Sequence, residues 1–120
     1  MYAIDAALMA NPADVGAVAA ELEAAGFDGA YAFEGQHDPF MVLAAAAAST
    51  RRMTLMTSVA IAFARNPMSI AYLGNDLQLI SGGRFVLGLG SQVKAHIERR
   101  FNMPWSKPAA RLRGMVLAIR

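Results

Sequence analysis

The residues best suited to chemistry lie in two short stretches. Glu34 and His37, within Glu34-Gly35-Gln36-His37-Asp38-Pro39, set a carboxylate beside a group that titrates near neutral pH. Such a pair can move protons. The second stretch, Gly82 to Phe101, begins with a glycine pair, alternates from Arg84 to Leu89 like a buried strand, and then loses side chains at Gly88 and Gly90. If Phe85, Leu87 and Leu89 face covering helices, then Val86, Gly88 and Gly90 face inward and leave room for a flat ligand. Beyond them Ser91, Gln92 and the N–H groups of a following short helix, with Lys94 and Arg99 nearby, would form a seat for phosphate.

Other chemistries lack their patterns. Two histidines 59 positions apart, no cysteine and scattered acids give no metal-ligand spacing. No phosphate-loop motif and no nucleophile elbow is present. Gly88-Leu89-Gly90 supplies only the first part of a dinucleotide fingerprint, because Val93 stands at the third glycine and no acid follows at ribose-binding distance. The proton-handling groups would therefore serve a cofactor.

These residues must be positioned by a repeated unit. Met1 to Leu8 reads as a short buried strand, and Asn11-Pro12 starts a helix running to about Ala25, with Val15, Val18, Leu22 and Ala25 on one face and Gly26 ending it. Phe27 to Glu34 is a second strand, followed by Asp38-Pro39 and an alanine-rich helix from Phe40 to about Thr50. Thr54 to Ala62 is a third strand, and Asn66-Pro67 opens a helix with Ile70, Leu73, Leu77 and Ile80 at helical spacing. Arg84 starts a fourth strand, a short helix is expected around Val93 to Arg100, and Pro108 opens a last one. The Asx-Pro starts fall at 11, 38 and 66, a period of 27 and then 28 residues. That is the size of a βα unit of a parallel sheet, and about four such units form half of a TIM-type (β/α)8 barrel. A doubly wound open sheet is the alternative. In either, ligands gather at the C-terminal strand ends, here Ala7 to Met9, Glu34 to Asp38, Ser58 to Asn66 and Gly90 to Ala95.

The stretches GFDGAYAFEGQHDPF, TSVAIAFARNP and SGGRFVLGLGSQVKAHIERRF together resemble the luciferase-like monooxygenase superfamily, in particular its deazaflavin (coenzyme F-420) dependent oxidoreductases. The resemblance covers residues 1–120 and matches the N-terminal half of the family's barrel. It implies an oxidoreductase that transfers hydride between a deazaflavin, or alternatively FMN, and a small organic substrate. By position, His37 matches a histidine near the reacting ring, with Glu34 as a further proton-handling group. Ser58, Val59 and Ala60 match a bulge behind the ring that often contains a cis peptide bond, and Gly90, Ser91 and Gln92 match the loop on the phosphate side.

Composition fits one globular domain. The chain is 56% hydrophobic and 17% charged, and its longest apolar run, Phe40 to Ala48, is nine residues, against about 20 needed to span a bilayer. A cytoplasmic location is expected. Residues 1–50 hold seven acids and no Lys or Arg, whereas residues 51–120 hold eleven bases and two acids. The bases are scattered without an aromatic stacking series, which speaks against a nucleic-acid binder. Four strands would leave two open edges and an apolar inner face, so a homo-oligomer or a complementary second half is expected as partner. The competing reading is a non-catalytic half-barrel module whose role is self-association.

Overall fold

The computed structural model describes residues 2–120, so Met1 of the expected first strand lies outside the described residues. The elements run β1 (Asp5–Ala7), α1 (Val15–Ala24), β2 (Gly29–Ala32), α2 (Pro39–Ala48), β3 (Thr54–Thr57), β4 (Ala60–Ile61), a 3-10 turn (Ala62–Ala64), α3 (Pro67–Ser81), β5 (Phe85–Val86), β6 (Leu89–Gly90), α4 (Lys94–Arg99) and α5 (Pro108–Ile119). Strands β1-β2-β3-β5 pair in that order, all parallel, and β4 pairs with β6 beyond them. A doubly wound sheet would reverse its order at a switch point. Here the order is sequential, as in the opening half of a (β/α)8 barrel.

Register explains the two faces. Ala6, Ala30, Leu55 and Phe85 stand side by side across the sheet, as do Ala7, Tyr31, Met56 and Val86 one residue further on. Because strand side chains alternate, the first row packs under the helices, where Ala30, Leu55 and Phe85 are buried with Phe40, Leu43 and Leu77. The second row faces the other way. Its Val86 is 50% exposed.

The helix starts follow the Asx-Pro signals. Asp38 Oδ1 accepts from the Phe40 N–H at 2.8 Å, and Asn66 Oδ1 from the Ser69 N–H at 2.8 Å, each with Pro at the first helical position. At the first signal the structure differs. Asn11 Oδ1 accepts from Ala13 and Asp14, so Pro12 to Asp14 form a turn and the regular helix begins at Val15. Ala25 and Ile80, expected on buried faces, are exposed: Ala25 lies past the end of α1, and the buried face of α3 runs through Ile70, Leu77 and Ser81 and leaves Ile80 off it. Gly82, in the left-handed conformation at φ 65°, ends α3.

Two anchors at the N-terminal ends of the strands carried no sequence signal. The Arg84 guanidinium donates to the carbonyls of Ser81 (2.7 Å), Met53 (2.9 Å), Thr50 (3.1 Å) and Ala47 (3.3 Å), tying the ends of α2 and α3 to β3 and β5. Glu23, near the end of α1, accepts from the N–H groups of Arg51, Arg52 and Met53 at 2.8 to 3.2 Å. The Met53 N–H is the largest cause holding the Glu23 carboxyl at about 2, against the opposing effect of burial, with the Arg52 and Arg51 N–H groups and the Arg52 charge adding to it.

A carboxyl whose folded pKa lies below its unfolded value of 4.5 adds stability above that value and loses it as pH falls toward about 2. Urea unfolding of the wild type is therefore expected to weaken between pH 4.5 and 2, by on the order of 1 to 2 kcal/mol once solvent screening is allowed for. Glu23→Gln should be less stable at pH 7 and flatter across that acid range. An equal acid slope in the variant would contradict this assignment.

Candidate active site

All strands end at one edge, and the chain's reactive groups gather there. Glu34 follows β2, and its side chain is almost wholly buried. Its Oε2 accepts from the Ile61 N–H at 3.0 Å and from Arg65 Nη1 at 3.0 Å, and its Oε1 pairs with Arg65 Nη2. Arg65 Nη2 also donates to Asp38 Oδ2 at 2.9 Å, Nη1 donates to the Ile61 carbonyl at 3.1 Å, and the guanidinium carbon stands 5.1 Å from the centroid of the Phe40 ring. Burial works against the Arg65 charge, but Glu34 and then Asp38 outweigh it and hold its pKa above the ordinary value. It stays cationic at any pH where the fold exists.

One guanidinium thus holds both carboxylates that flank the loop Gly35-Gln36-His37. Asp38 divides its oxygens, Oδ1 to the α2 N-terminus and Oδ2 to Arg65. Arg100, after α4, donates to the Gly35 carbonyl from the other side. His37 projects from this loop, exposed and in the wall of two clefts. One, of about 200 Å³, is lined mainly by Leu8, Met9, Phe33 and Val42. The other, of about 360 Å³, is lined by Glu34, Asp38, Arg65, Arg100 and Phe101.

At the next strand end the expected long third strand breaks. Thr57 is the last residue of β3, the Ser58-Val59 peptide bond is cis, and β4 resumes at Ala60. Alternation breaks with it: Val59 is 41% exposed, whereas Ala60 and Ile61 are both buried. The expected continuous fourth strand divides opposite this point into β5 and β6. Thr57 Oγ1 bridges the gap, donating to the Gly88 carbonyl and accepting from the Gly88 N–H, both at 2.8 Å, and the Ala60 N–H donates to the same carbonyl at 2.9 Å.

Comparison with known proteins bears on this edge. The family model described as Luciferase-like monooxygenase matches residues 2–120. The chain belongs to the luciferase-like monooxygenase family. An uncharacterized Mycobacterium tuberculosis protein, Rv1360, is 54% identical over 102 residues, 85% of this chain. A putative coenzyme F420-dependent oxidoreductase of the same species, Rv3520c, is 36% identical over 102 residues, 84% of this chain. The chain spans about 30% of the length of these curated relatives. Among solved structures, the FMN complex of the oxygenating constituent of 3,6-diketocamphane monooxygenase from Pseudomonas putida superposes with TM-score 0.83 at 14% identity, over 99% of this chain and 39% of that one. The coenzyme F420 dependent tetrahydromethanopterin reductase from Methanopyrus kandleri gives 0.78 at 22% identity, over 96% and 38%. These likenesses establish the shared fold, with this chain matching about two fifths of each enzyme.

In this luciferase-like chain Gly88, between β5 and β6, and Gly90, in β6, serve a purpose other than the one expected. A Cβ on Gly88 would stand 2.1 Å from the Thr57 carbonyl oxygen, and one on Gly90 would stand 2.6 Å from Val59 Cγ2. The space is filled by the neighbouring strand end, which corrects the expectation of clearance for a flat ligand. The phosphate-side loop is also engaged internally: Ser91 Oγ donates to the Gln92 carbonyl, and the Val93 N–H donates to Gln92 Oε1. Lys94 pairs loosely with Glu98, and α4 is only six residues long. Ser91 and Gln92 lie beyond β6, whereas His37, Glu34 and Arg65 share a cleft. Arg65 and Thr57 went unassigned in the sequence because nothing in their spacing signals a buried partner, although Arg65 lies within the Arg65-Asn66-Pro67 motif.

Gly88→Ala places a methyl against main chain rather than against a yielding side chain. It is expected to destabilise the protein by about 3 kcal/mol or more. Gly114→Ala in α5 has open space for its Cβ and should be neutral or stabilising by up to about 1 kcal/mol. Chemical denaturation of the two variants checks the contrast; equal stabilities would show that the β3–β5 junction yields.

Proposed function

We propose that this chain supplies the proton-handling side of an oxidoreductase site that uses a deazaflavin, with FMN as the alternative, to act on a small organic substrate. The observation that carries the reading is the placement of His37. Its ring makes no hydrogen bond among the described residues, and it lies between an apolar cleft and a charged one at the strand-end edge. The relative named as a putative F420-dependent oxidoreductase, at 36% identity, favours a deazaflavin over FMN.

The residues present fit the ring of such a cofactor better than its phosphate side. Val59 offers an exposed apolar surface, braced from behind by Gly90, against which a flat ring can lie, with Ala60 buried beneath it. A bound deazaflavin would supply the hydride chemistry. His37 would give or take a proton at its imidazole nitrogen. Glu34 is committed to Arg65 and Ile61, so its part is to hold the loop while His37 moves the proton. Ser91 and Gln92 would meet a phosphate only by giving up their present bonds.

A second reading, association, is favoured by the open inner row. Tyr31, Met56 and Val86 stand next to one another on the sheet face without helices. A second copy, or a complementary segment, would cover them.

Titration with the deazaflavin cofactor and with FMN, followed by absorbance and melting temperature, tests the cofactor reading. The deazaflavin is expected to raise the melting temperature by several degrees and FMN by less. No shift with either at saturating concentration would overturn it. Sedimentation of the same samples tests association, for which a monomer at micromolar concentration would be the contrary result.

A further inference from the structure

We infer that Arg65 is the positioning residue of the His37 loop, acting by gripping the two carboxylates on either side of it. The loop has little else to hold it. Among the described residues, Gly35, Gln36 and His37 make no hydrogen bond of their own other than the Gly35 carbonyl's acceptance from Arg100. Its two ends, by contrast, are fixed by one group. Glu34 brings both carboxylate oxygens to Arg65, and Asp38 brings the oxygen that its capping of α2 leaves over. Arg65 is itself immobilised from two directions, by the Ile61 carbonyl and by the face of Phe40.

The planar fork is what the geometry requires. Nη1 and Nη2 serve four oxygens on three residues, and an ammonium, being a single point donor, cannot span Glu34 and Asp38 together. The pair also links the site to the strand break. Glu34 Oε2 takes the Ile61 N–H of β4, so the His37 loop and the segment following Ser58-Val59 are set by the same carboxylate. Displacing Arg65 would free His37 from its place between the two clefts while leaving the caps of α2 and α3 in place. The consequence for proton transfer rests on the function proposed above; the grip itself does not.

The test uses the cofactor-free chain. Backbone relaxation and side-chain spectra are measured by NMR for the wild type, Arg65→Gln, Arg65→Lys, Asp38→Asn and the exposed control Arg113→Gln. Order parameters for Gly35 to His37 are expected near 0.85 in the wild type and the control, and below about 0.6 in Arg65→Gln. Lysine should rescue them in part. Asp38→Asn, which keeps the Oδ1 cap, should fall between. The His37 ring signals should move toward those of an unstructured histidine while those of His96 stay in place. Should Arg65→Gln fail to fold, Arg65→Lys and Asp38→Asn decide. An ordered loop with unmoved His37 signals in those folded variants would overturn the positioning role. Failure of the wild type to bind either cofactor would instead sink the functional reading and leave this one standing.

Discussion

A single buried ion pair organises the edge where this protein's reactive groups meet. Arg65 and Glu34 are both nearly withdrawn from water, and desolvating two charges costs as much as their attraction returns unless further hydrogen bonds use up the remaining lone pairs and protons. Here they do. Ile61 contributes an N–H and a carbonyl, Asp38 a second carboxylate, and Phe40 a ring face. The pair is therefore weak as a source of stability and strong as a source of geometry. Removing either partner strands a charge, whereas keeping both fixes the ends of β2 and β4 and the loop between β2 and α2.

The strand break beside it obeys a different physics, that of close backbone approach. Pairing between neighbouring strands stops at Met56 and Val86 and resumes at Ala60 and Leu89, leaving the ladder interrupted between them. Thr57 replaces the missing rung with its hydroxyl, which is both donor and acceptor to Gly88. That replacement brings the Thr57 carbonyl so near Gly88 that no Cβ fits. The glycines, the threonine and the strand break form one device, beside which Val59 is exposed.

Much of the fold was legible because it depends on local signals. Asp38-Pro39 and Asn66-Pro67 state their helix starts through a cap and a missing N–H, and the 27 and 28 residue period states the repeated unit. The site was only partly legible. His37 was singled out for its chemistry at a strand end, and the structure sets it in the wall of two clefts. Arg65, Thr57, Glu23 and Arg84 were not, since each works through a partner 27 to 37 residues away, which no periodicity reports. Gly88 and Gly90 were seen but given the wrong cause. A glycine at a strand end says that something is close, and the sequence does not say whether it is a ligand or the neighbouring strand.

The two faces of the sheet differ in what they still require. On the helix side Ala30, Leu55 and Phe85 are sealed under α2 and α3, and among the described residues no buried side-chain polar atom lacks a hydrogen bond. On the other side Tyr31 and Met56 are half-buried and Val86 is 50% exposed, in a row that no helix covers. Full burial of such a side chain from full exposure is worth roughly 1.5 to 3 kcal/mol, and because these three are already partly covered, closing the row would add only a part of that at each. The Arg65 grip on Glu34 and Asp38, by contrast, is complete within this chain and needs nothing from that open face.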